Sequence, residues 1–373
     1  MIKMKNIIGI KFWGVFLLAV VFFACTEKQS YVYQEKMNEG VEYSLKHRND
    51  SSSVWNTAGW WNSANVLTAL IRYAEVSGEY DKILTVVDDV YQRASHYELK
   101  GSDGKFICYF DSFINDFYDD EGWWALAWIK AFEVFGNAEY LEMAKVIFAD
   151  MTTGWDDTLG GGIYWKKNPL EYKNSIANNL FALTAIRLYK LTEEDVYLHW
   201  FLKEVDWYLS TGLYNEDKQI IEDGLSKDGS PNREGHYTYN QGVAIAVFTE
   251  MYLYSKEQKF LDIAVKLADS AIKKEFVTVS GVLSEKRIDI AEGNDGVQFK
   301  GIFIRHLAFL YSVTKNEEYK QFILTNADSI LNNNYNLVSR SFGCHWEGPF
   351  KEKGVAANSS ALECIIEAFN LSD

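Results

Sequence analysis

Proline is scarce, with 3 in 373 residues where an ordinary chain carries about 5%. So few forced breaks favour long helices. Cysteine is rare too: Cys25, Cys108, Cys344 and Cys364, widely spaced and without a CxxC pair. Such a set excludes a disulfide framework and a thiolate metal site, although one pair could form in an oxidising compartment. The six histidines show no HExxH or HxH spacing, which argues against a catalytic zinc. GxGxxG, GxxxxGK[ST] and GxSxG are all absent, so no nucleotide cofactor, phosphate cradle or nucleophile elbow is implied. The triple glycine at 160–162 reads as a tight loop, and Ser270 with Lys273 (an SxxK match) as surface residues of a helix. Basic residues are outnumbered, 37 Lys+Arg against 52 Asp+Glu, for a net charge of −15. That balance excludes a nucleic-acid partner, whose binding rests on clustered cations.

What is abundant is aromatic and apolar. Tryptophan, tyrosine and phenylalanine number 12, 23 and 23, and 48% of residues are hydrophobic. A large core follows, and disorder is excluded. The N-terminus carries Lys3, Lys5 and Lys11, then the apolar run FWGVFLLAVVFFA ending before Cys25. The run is shorter than the roughly 20 residues of a spanning helix, and it fits a secretory leader. Small Ala24 before Cys25 matches a bacterial lipoprotein box. We therefore expect residues 1–24 to be a signal peptide, Cys25 to carry lipid, and 25–31 to be a short tether. The exported chain of 349 residues would have a net charge of −18. It would be anchored to a bacterial membrane, outer membrane included, facing the periplasm or the surface.

Self-similarity organises the remainder. The segments GEYDKILTVVDDVY, AEYLEMAKVIFADM, DVYLHWFLKEVDWY, QKFLDIAVKLADSA and EEYKQFILTNADSI align on Tyr80, Tyr140, Tyr197, Phe260 and Tyr319, at spacings of 60, 57, 63 and 59. Their apolar positions step by three and four, the mark of a helix with one buried face. A more apolar helix precedes each, near 60–76, 120–136, 174–191, 237–255 and 298–314. An amphipathic helix at 34–47 and an apolar one at 356–369 supply a sixth pair. Helices buried all round imply a closed inner ring, so the fold expected over 32–373 is an all-α (α/α)6 barrel of six helical hairpins.

Each inner helix begins with polar and aromatic residues before turning apolar. In chain order these include Trp61, Asn62 and Asn65; Asp119, Asp120, Glu121, Trp123 and Trp124; Asn174, Ser175 and Asn178; Tyr237, Tyr239, Asn240 and Gln241; Gln298 and Lys300; and Asn358 and Glu363. Helix capping explains one such residue per helix. It does not explain the aromatic residues beside them, and parallel inner helices would bring these starts together at a ligand-binding mouth.

The segment FYDDEGWWALAW, 117–128, is the sharpest of them. Crowded carboxylates hold one proton to higher pH while a neighbour stays ionised. Glycosidic hydrolysis needs that division, an acid for the leaving oxygen and a carboxylate for the anomeric carbon. Neighbouring residues suit the short separation of a retaining pair, about 5–5.5 Å, better than the wider inverting one. Asp156-Asp157 either cap a turn or line the cleft.

At these residues the sequence resembles glycoside hydrolase family 76, the bacterial α-1,6-mannanases. The shared motifs are FYDDEGWWALAW, GGGIYW, KNSIANNLFALTAIRLY, YTYNQGVAI, FKGIFIRHLA and GCHW…SALE, spread over about 55–363. The resemblance implies an (α/α)6 fold, a retaining mechanism with Asp119 as nucleophile and Asp120 as general acid/base, and Asp223 as a further active-site acid. It also implies that Trp61, Asn62, Asn65, Trp124, Tyr239, Asn240 and Gln241 bind sugar rings of α-mannan. From their helix starts, Asn178 and Lys300 join the expected mouth, without metal or cofactor, in a monomer. The loop SKDGSPNRE departs from the family pattern. Two other readings stay open here: a lipid-anchored glycan-binding protein without catalysis, and an unsaturated glucuronyl hydrolase on the same barrel.

Overall fold

The computed structural model describes residues 29–100, 106–232, 235–290 and 295–372. The expected leader and Cys25 lie outside them. Twelve long helices carry these residues: α1 (29–46), α2 (Trp60–Ser77), α3 (Tyr80–Ala94), α4 (Tyr118–Phe135), α5 (Ala138–Met151), α6 (Ser175–Thr192), α7 (Asp195–Ser210), α8 (Thr238–Ser255), α9 (Gln258–Ser270), α10 (Asp295–Thr314), α11 (Glu317–Asn333) and α12 (Gly354–Ser372). Local chemistry marks their ends. Gly78 and Gly136 close α2 and α4 in the left-handed conformation, each N–H returning to the carbonyl four residues back. Asn137, Asn174 and Asn316 cap α5, α6 and α11 through their side-chain oxygens.

The even-numbered helices form a closed inner ring in the order α2, α4, α6, α8, α10, α12 and back to α2. Enclosure on every side explains their near-continuous burial: in α8 Asn240 through Met251 are all buried. The odd-numbered helices pack outside with one apolar face each. The termini complete the sixth hairpin, because Asn358 Nδ2 of α12 donates to Gly40 O of α1 at 2.9 Å and to Ser44 Oγ at 3.1 Å. Glycine lets inner helices touch backbone to backbone. A Cβ on Gly242 would lie 2.7 Å from Phe303 Cα, and one on Gly301 would lie 2.6 Å from Ser360 O.

Among the described residues four two-stranded antiparallel hairpins, which the helical periodicity does not reveal, decorate the loops after outer helices. They pair β1 (His96–Lys100) with β2 (Phe106–Asp111), β3 (Tyr214–Asn215) with β4 (Ile220–Ile221), β5 (Gly224–Leu225) with β6 (Pro231–Asn232), and β7 (Tyr335–Asn336) with β8 (Ser341–Phe342). Among the described residues no helix is long and apolar enough to cross a membrane. Cys344 and Cys364 are buried free thiols.

Candidate active site

The N-terminal ends of α2, α4, α6, α8 and α10 converge on a cleft of about 440 Å³. At its centre α4 begins with three acids, favoured there by the positive end of the helix dipole. The loop after α5 fixes this start: Tyr118 N donates to Trp165 O at 2.9 Å, and Lys167 N to Asp116 O at 2.8 Å. That pairing swings Trp165 over the acids, where its indole Nε1 donates to Asp119 Oδ2 at 3.0 Å. Asn115 Nδ2 donates to Asp120 Oδ2 at 2.6 Å, while its own oxygen accepts from Phe117 N. Glu121 turns away from the cleft. It is fully buried, and its Oε1 pairs with Lys167 Nζ at 2.6 Å.

The two aspartates sit in unequal surroundings. Burial drives both upward in pKa. Asp119 reaches only about 7, because Trp165 and the nearby backbone N–H groups of the helix start favour its charged form, while Asp295 acts the other way. Asp120 goes well above the usual carboxylate range, because the charge of Asp119 adds to desolvation and the Asn115 amide offsets them only in part. The pair therefore prefers one charge on Asp119 and one proton on Asp120. Asp119 Oδ1 has no hydrogen-bond partner among the described residues.

Aromatic rings pave the cleft. Tyr239 and Phe299 stack with centroids 3.8 Å apart and planes at 6°. Trp123 lies 6.5 Å from Tyr239 on one side and 5.8 Å from Trp61 on the other. Trp61 Nε1 donates to Asp295 Oδ1 at 3.2 Å. Asp223 accepts from Tyr172 Oη at 2.7 Å and from Asn240 Nδ2 at 3.1 Å. Among the described residues Arg287 is the one cation lining the cleft.

Of the residues expected at the mouth, Trp61, Asp119, Asp120, Trp123, Asn174, Asp223, Tyr237 and Tyr239 line the cleft, and Asn240 stands behind Asp223. The others need correction. One step along a helix turns a side chain by about 100°, which carries neighbours of cleft residues into the barrel wall. Asn62 is buried and donates to Gln298 Oε1 at 2.8 Å. Asn65 accepts from Arg305 at 3.0 Å. Trp124 packs with Trp60, Phe113 and Trp128. Lys300 is buried, donating to Cys344 O at 2.9 Å with its ammonium over the Trp346 ring.

Asn178 and Gln241 have a shared structural use. Asn178 accepts from Ile163 N at 2.7 Å and donates to Ile163 O at 2.9 Å. Gln241 does the same with Ile221, at 2.8 and 3.1 Å. In these two cases an inner-helix amide clamps the incoming loop, satisfying backbone groups that would otherwise be buried unpaired. Asn358 repeats half of the pattern, accepting from Phe342 N at 3.1 Å.

The residue-by-residue reading missed Trp165, Tyr172, Arg287, Asp295 and Phe299, all in the cleft wall. Trp165 ends the GGGIYW motif, and Asp295 opens α10 as Asp119 nearly opens α4; both positions were available signals. Asp156 serves the loop, accepting from buried Lys173 Nζ at 2.7 Å. Among the described residues no cluster of three or more His, Cys, Asp or Glu is disposed to hold a metal ion.

The model of Glycosyl hydrolase family 76 matches residues 25–372. The chain belongs to this family. Among relatives of the family 76 chain, mannan endo-1,6-alpha-mannosidase DCW1 of Candida albicans is 29% identical over 266 residues, 66% of this chain and 57% of its own length. A putative mannan endo-1,6-alpha-mannosidase of Schizosaccharomyces pombe is 27% identical, over 72% and 62%. The chain thus spans less than two thirds of these relatives. The Lin0763 protein from Listeria innocua superposes with a TM-score of 0.78 at 26% identity, covering 91% of this chain and 97% of its own. An inactive variant of an alpha-1,6-mannanase of Salegentibacter sp. HEL1_6, in complex with alpha-1,6-mannotriose, gives 0.75 at 23% identity, covering 91% and 99%. These likenesses agree with the (α/α)6 barrel.

Proposed function

We propose that this family 76 chain is a retaining glycoside hydrolase that cleaves α-1,6-mannosidic bonds within mannan, with residues 32–373 as its catalytic domain. The observation that carries the reading is the pair of adjacent carboxylates in an aromatic-lined cleft, Asp119 accepting from the indole N–H of Trp165 at 3.0 Å and Asp120 from the amide of Asn115 at 2.6 Å. The names of the relatives supply the linkage and the endo mode.

Asp119 Oδ1 attacks the anomeric carbon as Asp120 gives its proton to the departing O6, leaving a covalent mannosyl-enzyme. Asp120, now a carboxylate, takes a proton from water as that water attacks the same carbon and releases Asp119. Trp61, Trp123, Tyr239 and Phe299 offer flat apolar faces to sugar C–H surfaces, while Asp223, Asp295 and Arg287 meet hydroxyls. Among the described lining residues four aspartates stand around one arginine, which disfavours an anionic uronide, and a pure binding protein would not require the adjacent carboxylate pair.

The test is to follow hydrolysis of a linear α-1,6-mannan by NMR in the first minutes. Retention predicts the α-anomer first, with oligosaccharide products; a β-anomer sinks the double displacement, and release of mannose alone sinks the endo mode. We further propose that the chain is exported as a monomer, with Cys25 lipidated at a bacterial membrane. Metabolic labelling with a clickable palmitate analogue should mark the wild type and not Cys25→Ala.

A further inference from the structure

The C-terminal halves of all six inner helices enclose a second cavity of about 610 Å³ at the opposite end of the barrel from the acidic cleft. Its charge is reversed. Several of its cations are already committed: Arg72 to Glu367 and Glu75, Lys130 to Glu75, Lys190 to Glu250, and Arg305 to Glu363. Arg187 of α6, Lys315 just after α10 and Lys320 of α11 also line it, and among the described residues none of the three has an ion pair or side-chain hydrogen bond, the ammonium of Lys315 lying over the Tyr311 ring. Arg187 is half-buried, a place where an unpaired guanidinium is costly.

Capping of helix carbonyls does not account for these cations. The last turns of α2, α4, α6, α8 and α10 are closed by the backbone N–H of Gly78, Gly136, Glu193, Lys256 and Lys315. A second observation points the same way. His306 of α10 lines the cavity, is only 2% exposed, and among the described residues has neither ring nitrogen partnered. Burial, with Arg305 and Arg187 nearby, holds it neutral. A neutral imidazole always has one N–H to donate, and buried donors are seldom left unpaired.

We propose that this cavity is a binding site for a phosphate group, with Arg187 as the principal ligand, Lys320 as a second cation and His306 as a hydrogen-bond donor. Guanidinium groups fit phosphate oxygens two at a time, and an excess of uncommitted cations suits the charge of a phosphate better than that of a single carboxylate. The group could come from free phosphate or a monoester, or from a phosphodiester such as a lipid headgroup. The site is independent of the sugar cleft and of the reaction proposed there.

Calorimetric titration of the full chain with inorganic phosphate and, separately, with glycerophosphoglycerol tests both sources. Saturable one-to-one binding of either supports the site, and the ligand that binds identifies the source. Arg187→Gln should weaken binding at least tenfold and Lys320→Gln at least threefold, while hydrolysis of α-1,6-mannan stays at the wild-type rate. Phosphate should also shift the ring ¹⁵N resonances of His306. Should Arg187→Gln fail to fold, Lys320→Gln and the His306 resonances carry the test. No saturable binding by either compound, or binding indifferent to the variants that fold, overturns the proposal.

Discussion

Trp165 and Asp119 stand 46 positions apart and meet through a 3.0 Å hydrogen bond from indole Nε1 to Oδ2. This bond favours the charged carboxylate, against burial that favours the neutral one. Trp165→Phe keeps a ring in place and removes the donor, so the pKa of Asp119 rises. The nucleophile must be ionised, so the acid limb of the pH profile of kcat/KM moves to higher pH and activity falls more at pH 6 than at pH 8. A hydrogen bond to a charged group is worth about 1.5–3 kcal/mol, which corresponds to a displacement of roughly one to two pH units. An acid limb that stays put would show that Trp165 does not bear on Asp119.

The loop that delivers Trp165 is held by one buried cation. Lys173 is 1% exposed, and its Nζ donates to Asp156 Oδ1, Thr158 O and Gly161 O, each at 2.7 Å. Lys173→Met fills similar space and leaves those acceptors without their donor. The expected loss is about 2–4 kcal/mol, between that of a lost charged hydrogen bond and that of a broken buried pair. Urea unfolding measures it, and a loss below about 1 kcal/mol would count against this account.

The barrel was legible because its periodicity is written in residue type. Tyr140 and Tyr319, two members of the repeated aromatic column, are fully buried and hydrogen-bond back to Asp88 and Asp269 of the preceding outer helices. The catalytic-type acids were legible because three carboxylates at one helix start are rare without purpose. Individual wall residues were not. Asn62, Asn178 and Gln241 look in sequence like amides awaiting a ligand, because an amide that clamps a backbone and one that grips a hydroxyl are the same residue. Tyr172 reaches the cleft through a loop whose course depends on tertiary pairing, Trp165 N donating to its carbonyl at 2.7 Å, and no local pattern encodes that. The two-residue strands are too short for any alternation to register.

Inner-ring closure depends on the glycine contact between α10 and α12. A Cβ at Gly301 would meet Ser360 O at 2.6 Å and Ser360 Cα at 2.7 Å, and backbone cannot rotate aside as a side chain can. Gly301→Ala gains helix propensity yet forces the helices apart, so destabilisation of about 1–3 kcal/mol is expected. Thermal unfolding of the variant beside wild type decides the matter. An unchanged or higher Tm would mean that the ring adjusts without cost.

The roles assigned to Asp119 and Asp120 can be separated by substrates that need different help. Asp119→Asn and Asp120→Asn should each reduce mannan hydrolysis by a factor of 10² to 10⁴ or more, with folding and glycan binding preserved. On an aryl α-mannoside whose leaving group needs no proton, the first step no longer depends on Asp120. Asp120→Asn should then form the mannosyl-enzyme readily and stall at its hydrolysis, because no base activates water. Azide is a nucleophile that needs no base, so it should restore turnover and give α-mannosyl azide. Asp119→Ala has no nucleophile to form that intermediate; azide can enter only from the vacated side and should give the β-product. Mass spectrometry of the stalled enzyme and NMR of the azide adducts report the two cases separately. If Asp119→Ala gives the α-azide, or Asp120→Asn the β-azide, the two aspartates have been given each other's parts.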